Sequence, residues 1–168
     1  MSRAVAFLVV VLAAVGAVAA AEPQGKLLSV EGPVELSRDR GATFAPAAAA
    51  AVRLEGAVGR TGRGARAALL LVDGTELRLI AFSSLEIRRV QGGVTRASAG
   101  GGAATSVALA SGELWLRSKA PRHDLSVETP AATAAIRGTE VDVRTDGSSA
   151  EVVVVEGAVA FSNPQGSV

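Results

Sequence analysis

Apolar and polar residues alternate in short bursts along this chain, and the bursts are separated by glycine corners. Ser84 to Val90 places Leu85 and Ile87 on one side and Glu86 and Arg88 on the other. Glu113 to Arg117 groups Leu114 with Leu116, and Leu125 to Thr129 groups Leu125 with Val127 before Pro130 stops it. Glu140 to Arg144 turns Val141 and Val143 inward and Glu140, Asp142 and Arg144 outward. A period of two is the mark of a half-buried strand. Lys26–Val30 and Val34–Ser37 flank Glu31-Gly32-Pro33, and Ala67–Val72 and Glu76–Ile80 flank Asp73-Gly74-Thr75. Asp-Gly between apolar runs is a hairpin signal, because glycine tolerates positive φ and aspartate bonds its own backbone. Val152–Val155 is an unbroken apolar run, the pattern expected of a strand covered on both faces. Ala158–Phe161 closes the series.

Short strands at roughly ten-residue spacing predict a single all-β domain, roll-like, solenoid-like or sandwich-like. Two stretches read otherwise. Pro46–Ala51 is alanine-rich and suits a helical turn, though a short one. Residues 97–106 are rich in glycine and alanine and are expected to form a flexible loop.

Composition adds location. Arg3 precedes an uncharged apolar run from Ala4 to Val18, and Ala17-Val18-Ala19 or Ala19-Ala20-Ala21 offers an A-x-A cleavage site. Residues 1–21 therefore read as a secretory signal peptide and 22–168 as the domain. The alternative, an uncleaved anchor, is disfavoured because the run falls short of the roughly 20 residues that span a bilayer. No stable membrane span is expected after cleavage. The expected location is outside the cytoplasm of a bacterium, periplasmic or extracellular. The chain has no cysteine, which excludes disulfides and a lipid-modified cysteine and leaves stability to the core.

Charge is balanced: 17 Lys and Arg, one of them Arg3, stand against 16 Asp and Glu. That argues against a nucleic-acid partner, which needs a basic face. Arginines crowd the middle (Arg53, Arg60, Arg63, Arg66, Arg78, Arg88, Arg89, Arg96) and acids the end (Glu128, Glu140, Asp142, Asp146, Glu151, Glu156). Cross-strand pairing within one sheet accounts for this more simply than a basic docking surface does.

No enzyme is expected. The single histidine, His123, sits in a polar loop with no nucleophile signature near it, and one histidine makes no His-rich metal site. Glu140 and Asp142 share a strand face and could form a carboxylate pair, but an exposed polar stripe is the simpler reading. Gly59–Gly64 is glycine- and arginine-rich, yet it lacks the Lys-Ser/Thr ending and following helix of a phosphate loop. No catalytic, metal or cofactor residue is assigned, and no cofactor is expected. The remaining candidate is Trp115, the only tryptophan. Opposite in parity to Leu114 and Leu116, it shares a face with Glu113 and Arg117. These three form a candidate partner or ligand surface. If both faces are covered, Trp115 is simply core.

Residues Gly59 to Leu79 carry a Thr61-Gly62 turn, an apolar strand, Asp73-Gly74-Thr75 and a second strand. Thr129-Pro130, the Arg137-Gly138-Thr139 turn and a strand ending at Gly157 follow in order. This ordered set resembles the FecR domain family over roughly Gly25 to Asn163. The resemblance implies that Gly62, Asp73, Gly74, Thr129, Pro130, Arg137, Gly138, Thr139 and Gly157 are architectural. Glycines and Pro130 would set turns, and Arg137 and Thr139 would bond backbone at a corner. It also implies a signalling role. Well-known members hold a sigma factor through a cytoplasmic segment and listen to an outer-membrane transporter through this domain. No such segment precedes the apolar run here. The expected function is therefore an exported, non-enzymatic sensing or adaptor domain that binds an envelope protein or extracellular ligand. The alternative is a carbohydrate- or cell-wall-binding module built on Trp115.

Overall fold

A computed structural model describes residues 24–90, 105–118, 124–163 and 166–167. The expected signal peptide lies outside them. All regular structure among the described residues is β, and no helix there is long and apolar enough to cross a membrane. The chain forms β1 (Gly25–Glu31), β2 (Val34–Ser37), β3 (Ala45–Pro46), β4 (Ala51–Val52), β5 (Ala57–Thr61), β6 (Arg66–Leu71), β7 (Glu76–Leu79) and β8 (Ser84–Arg89). The longer strands follow: β9 (Thr105–Arg117), β10 (Asp124–Glu128), β11 (Thr133–Thr145) and β12 (Ala150–Asn163), then β13 (Gly166–Ser167).

These strands make one continuous sheet that curls into a barrel-like roll. Its main path runs β13-β12-β11-β10-β9-β7-β6-β1-β4, and β8, β5, β2 and β3 branch from β9. The branch point explains the curl. The first half of β9 pairs with β8 and, in parallel, with β10. Its second half pairs with β7 and β11. Gly112, at φ 92°, marks the change of partners. An added Cβ there would lie 2.5 Å from Ser83 Cα, so only glycine fits.

The concave side holds the core. Leu27, Leu69, Leu77, Leu79, Leu114, Leu116, Val141 and Val143 are buried on the strands around β9. Leu85, Ile87, Val107, Leu109, Leu125, Val127 and Ile136 continue the same cluster. Each such side chain contributes about 1.5–3 kcal/mol by leaving water.

The strands expected from alternation are present at Lys26–Val30, Val34–Ser37, Ala67–Val72, Glu76–Ile80, Ser84–Val90 and Leu125–Thr129, to within a residue or so at each end. Elsewhere the structure corrects the expectation. Pro46–Ala51 is not helical: its ends lie in β3 and β4, and Ala47 N–H and Ala50 C=O bond to the backbones of Val34 and Leu27. Neighbouring strands supply partners that a short helix would have to provide alone. Thr105 and Ser106, placed in the loop of residues 97–106, open β9, while 97–104 lie outside the described residues. The Arg137-Gly138-Thr139 turn and the break at Gly157 are not turns. β11 and β12 run straight through them and absorb one extra residue each, in two offsetting bulges near Glu140 and Val155. Gly157, at φ 97°, stands across from the first, between the partners of Arg137 and Glu140.

Val152–Val155 is not covered on both faces. Val153 is 44% exposed and Val155 63%, because β12 has β11 on one side and, among the described residues, only β13 at its far end on the other.

Candidate functional site

β9 presents Glu113, Trp115 and Arg117 on the convex face while Leu114 and Leu116 enter the core. Trp115 is half-buried. Register supplies its neighbours: Arg78 of β7 and Asp142 of β11 stand directly across from it. Glu76 and Glu140 flank Arg117, and Arg144 faces Glu113. The Arg78 guanidinium lies 4.6 Å from the indole ring centre. Bonds of 2.9 and 2.7 Å to Glu76 Oε1 hold it there. The indole Nε1–H donates to Glu140 Oε1 at 3.2 Å. Arg117 approaches Glu140 at 3.8 Å, and Arg144 approaches Glu113 at 3.1 Å and Asp142 at 3.5 Å.

The result is a charge checkerboard around one aromatic ring. Pairs this exposed contribute little stability each. Their effect is to fix side-chain positions. One ring face is occupied by Arg78, so a sugar would have to displace it or use the other face. Arg88 of the middle cluster pairs across the sheet with Glu128, as do Arg117 with Glu140 and Arg144 with Glu113, while Arg78 pairs along its own strand with Glu76. Arg60 instead stacks on Phe44 at 3.8 Å.

Beside Trp115 the convex face dips into an open groove of about 620 Å³, walled by Arg66, Arg78, Trp115 and Asp142 over Ser29 and Ala68. The dip exists because Ser29 and Ala68 are small where their neighbours are long. Asp142 Oδ1 is shielded from water and accepts no hydrogen bond. Burial, then the neighbouring Glu113, raises the Asp142 carboxyl above its ordinary pKa, with Arg144 opposing.

The residues singled out as architectural lie away from this groove, at bends and bulges. Gly62 N–H donates to the Pro33 carbonyl at 2.8 Å, and a Cβ on Gly62 would come 2.9 Å from the Pro33 ring. Asp73 Oδ1 accepts from Thr75 N–H at 2.8 Å, and Gly74 takes φ 83°. Asp73 Oδ2 also accepts from Thr105 Oγ1 at 2.5 Å, tying the β6–β7 hairpin to the start of β9. Thr129 Oγ1 donates to the Ala132 carbonyl at 2.8 Å and accepts from its N–H at 3.0 Å, closing the bend around Pro130. Arg137, Gly138 and Thr139 lie at the bulge where β11 changes partner from β10 to β9.

Other chemistry does not assemble. Glu140 and Asp142 share a face, as their spacing predicts, but Arg117, Trp115 and Arg144 engage them. The Gly59–Gly64 stretch runs from β5 into the turn before β6 and opens no helix. No group of three or more metal-binding side chains occurs among the described residues. His123 lies outside them.

One feature has no signal in the residue pattern. Phe82 is 67% exposed and holds φ 61°, a conformation uncommon for a bulky side chain. A buried clasp imposes it. Thr61 Oγ1 donates to the Ile80 carbonyl at 2.5 Å and accepts from Ser83 N–H at 2.9 Å. Ser83 Oγ donates to the Glu113 carbonyl at 3.1 Å and accepts from its N–H at 3.0 Å.

The described residues thus form a rolled sheet with a structured convex face and glycines at its bends. The chain belongs to the FecR protein family, which it matches over residues 57–160. FecR-type domains are signalling and regulatory modules rather than enzymes. Two crystal structures of a candidate anti-sigma factor from Parabacteroides distasonis share the fold, at TM-scores of 0.51 and 0.52 and 18% identity. Each match covers 65% of this chain and 48% of the other, so the chain spans about half the length of those proteins. Among curated proteins, none matches.

Proposed function

We propose that this chain is an exported, non-enzymatic FecR domain that binds a protein of the bacterial envelope and serves as a sensor or adaptor. Membership of the FecR family carries the reading. The charged leader pattern of residues 1–21 supports export. The convex face around Trp115, with Glu113 and Arg117 beside it, suits protein contact: an aromatic anchor inside a ring of polar groups is the usual composition of an interaction hot spot. The test is a crosslinking pull-down of the tagged chain from its own cell envelope, read by mass spectrometry. A reproducible protein partner is expected, and its contact should weaken with Trp115→Ala.

The groove beside Trp115 favours a second reading, a carbohydrate- or cell-wall-binding module. Recovery of peptidoglycan or polysaccharide with no enriched protein would favour it over the adaptor. So would a change in Trp115 fluorescence on adding soluble peptidoglycan fragments.

A further inference from the structure

We propose that the free edge of β12 accepts an extended strand from the envelope partner, and that this strand carries basic residues on either side of an apolar centre. The inference rests on the adaptor reading above and adds where and how the partner binds.

β12 runs from Ala150 to Asn163, and β11 satisfies one of its edges. On the other edge β13 reaches only Ser162 and Asn163. From Ala150 to Phe161 that edge has no strand beside it among the described residues. A row of unpaired backbone donors and acceptors is a template for another strand. The side chains there are apolar and uncovered: Val153, Val154 and Val155 are all exposed. Long exposed edges are normally blunted by lysine or proline, and β12 has neither. Its charges are Glu151 and Glu156, one at each end of the valine run.

Those glutamates belong to a larger acidic margin. Strand pairing places Glu151 beside Arg144, Val153 beside Asp142 and Glu156 beside Glu140 on the convex face. Glu113 and Arg117 stand across from Arg144 and Glu140 on β9. Five carboxylates thus meet two arginines, a formal excess of three negative charges at the rim where a new strand would join. The Asp142 carboxylate oxygen without a hydrogen bond lies one strand in from that rim.

The same charges select against a second copy of this chain. Antiparallel pairing of β12 with itself centred on Val153, with Val155 kept in its bulge, would set Glu151 opposite Glu156 twice. Like charges directly opposite are destabilising. Head-to-tail stacking fails differently: the other end of the sheet path is β4, only Ala51–Val52, too short to pair with β12. What fits is a foreign strand with a lysine or arginine opposite Glu151, an aliphatic residue opposite Val153, and a second basic residue opposite Glu156.

The probe is a synthetic peptide of about twelve residues, alternating threonine and valine with lysines at those two places. A second peptide carries glutamate instead of lysine. Hydrogen exchange of the full chain should show protection of amides in Ala150–Phe161 with the lysine peptide only. Affinity should fall at least about threefold between roughly 50 and 300 mM salt. Val153→Lys should abolish the protection. The double variant Glu151→Lys/Glu156→Lys, at two exposed positions, should reverse the preference toward the glutamate peptide. Equal binding of both peptides, protection elsewhere than β12, or no reversal overturns the proposal. In the pull-down, a partner recovered equally by the wild type and by Val153→Lys overturns strand addition and leaves the adaptor reading standing. Loss of that partner with Val153→Lys supports it. Recovery of no protein partner overturns the adaptor reading, and strand addition from a partner with it.

Discussion

Replacing Gly112 with alanine should cost about 3–4 kcal/mol of folding stability. One contribution is conformational: an L-residue at positive φ costs about 1–2 kcal/mol, and Gly112 sits at φ 92°. The other is contact. The new Cβ would lie 2.5 Å from Ser83 Cα and 2.7 Å from Ser83 Cβ, where only backbone movement can relieve it. Moving Ser83 breaks its two bonds to the Glu113 backbone, 3.1 and 3.0 Å, each worth about 1 kcal/mol. Gly64 provides the control. It also has positive φ, 65°, but a Cβ there meets nothing within 4 Å, so Gly64→Ala should cost only the conformational part, about 1 kcal/mol. Urea unfolding of both variants, with midpoints compared at equal slope, measures the difference. A Gly112→Ala variant no less stable than Gly64→Ala would refute the close approach of β9 to the β7–β8 turn.

Phe82→Gly should raise stability by about 1 kcal/mol, because glycine holds φ 61° without the cost that phenylalanine bears; a lower thermal midpoint would contradict the strain. Thr129→Ala should lose about 1 kcal/mol with its two bonds to Ala132, and Thr129→Ser should recover most of it; equal loss in both variants would show that the hydroxyl is not what closes the bend. Hydrogen bonds from Ser37 and Thr43 to Asp39, and from the Ser148 and Ser149 backbones to Asp146, hold both carboxyls well below the usual carboxylate range. Their contribution is present above pH 4 and is lost as pH falls below the ordinary aspartate value. Asp142 acts in the opposite sense: its pKa is raised from 3.8, so its contribution is full below that value and is lost as pH rises through its folded pKa. Asp142→Asn should therefore remove a stability decrease that sets in as pH rises past the ordinary aspartate value, and a pH–stability profile identical to wild type would refute the shift.

Strand parity was legible wherever polar residues separated apolar ones. Glu140–Arg144 and Ser84–Arg89 show it, and the same rule put Trp115 opposite Leu114 and Leu116. It failed where the intervening residues are small. Thr105, Val107 and Leu109 point inward, yet Ser106, Ala108 and Ala110 between them contrast too weakly to announce a strand. It failed again at Val152–Val155, because a run of valines reads the same whether two layers cover it or none does. The candidate site was half readable. Glu113, Trp115 and Arg117 follow from one strand's alternation. Arg78, Glu140 and Asp142 join them only through register across three strands, which no local pattern encodes. Phe82 was invisible, since its conformation is imposed by the bonds that tie its neighbour Ser83 to Thr61 and Glu113, both distant in the chain.

The two-sided pairing of β9 has a consequence for the order of events after synthesis. The second half of β9 can find β7 as soon as both have emerged, but its opposite side waits for Glu140–Thr145 of β11. Until then Glu113–Arg117 is a raw margin on a half-built roll. Closure couples segments far apart in the chain, so assembly should be slow and nearly all-or-none. A nascent or truncated chain ending before Glu140 would display Leu114 and Leu116 next to an unpaired backbone, the kind of intermediate that sticks to its neighbours. Whatever shields a nascent copy of this chain from its neighbours must act until its last third has arrived.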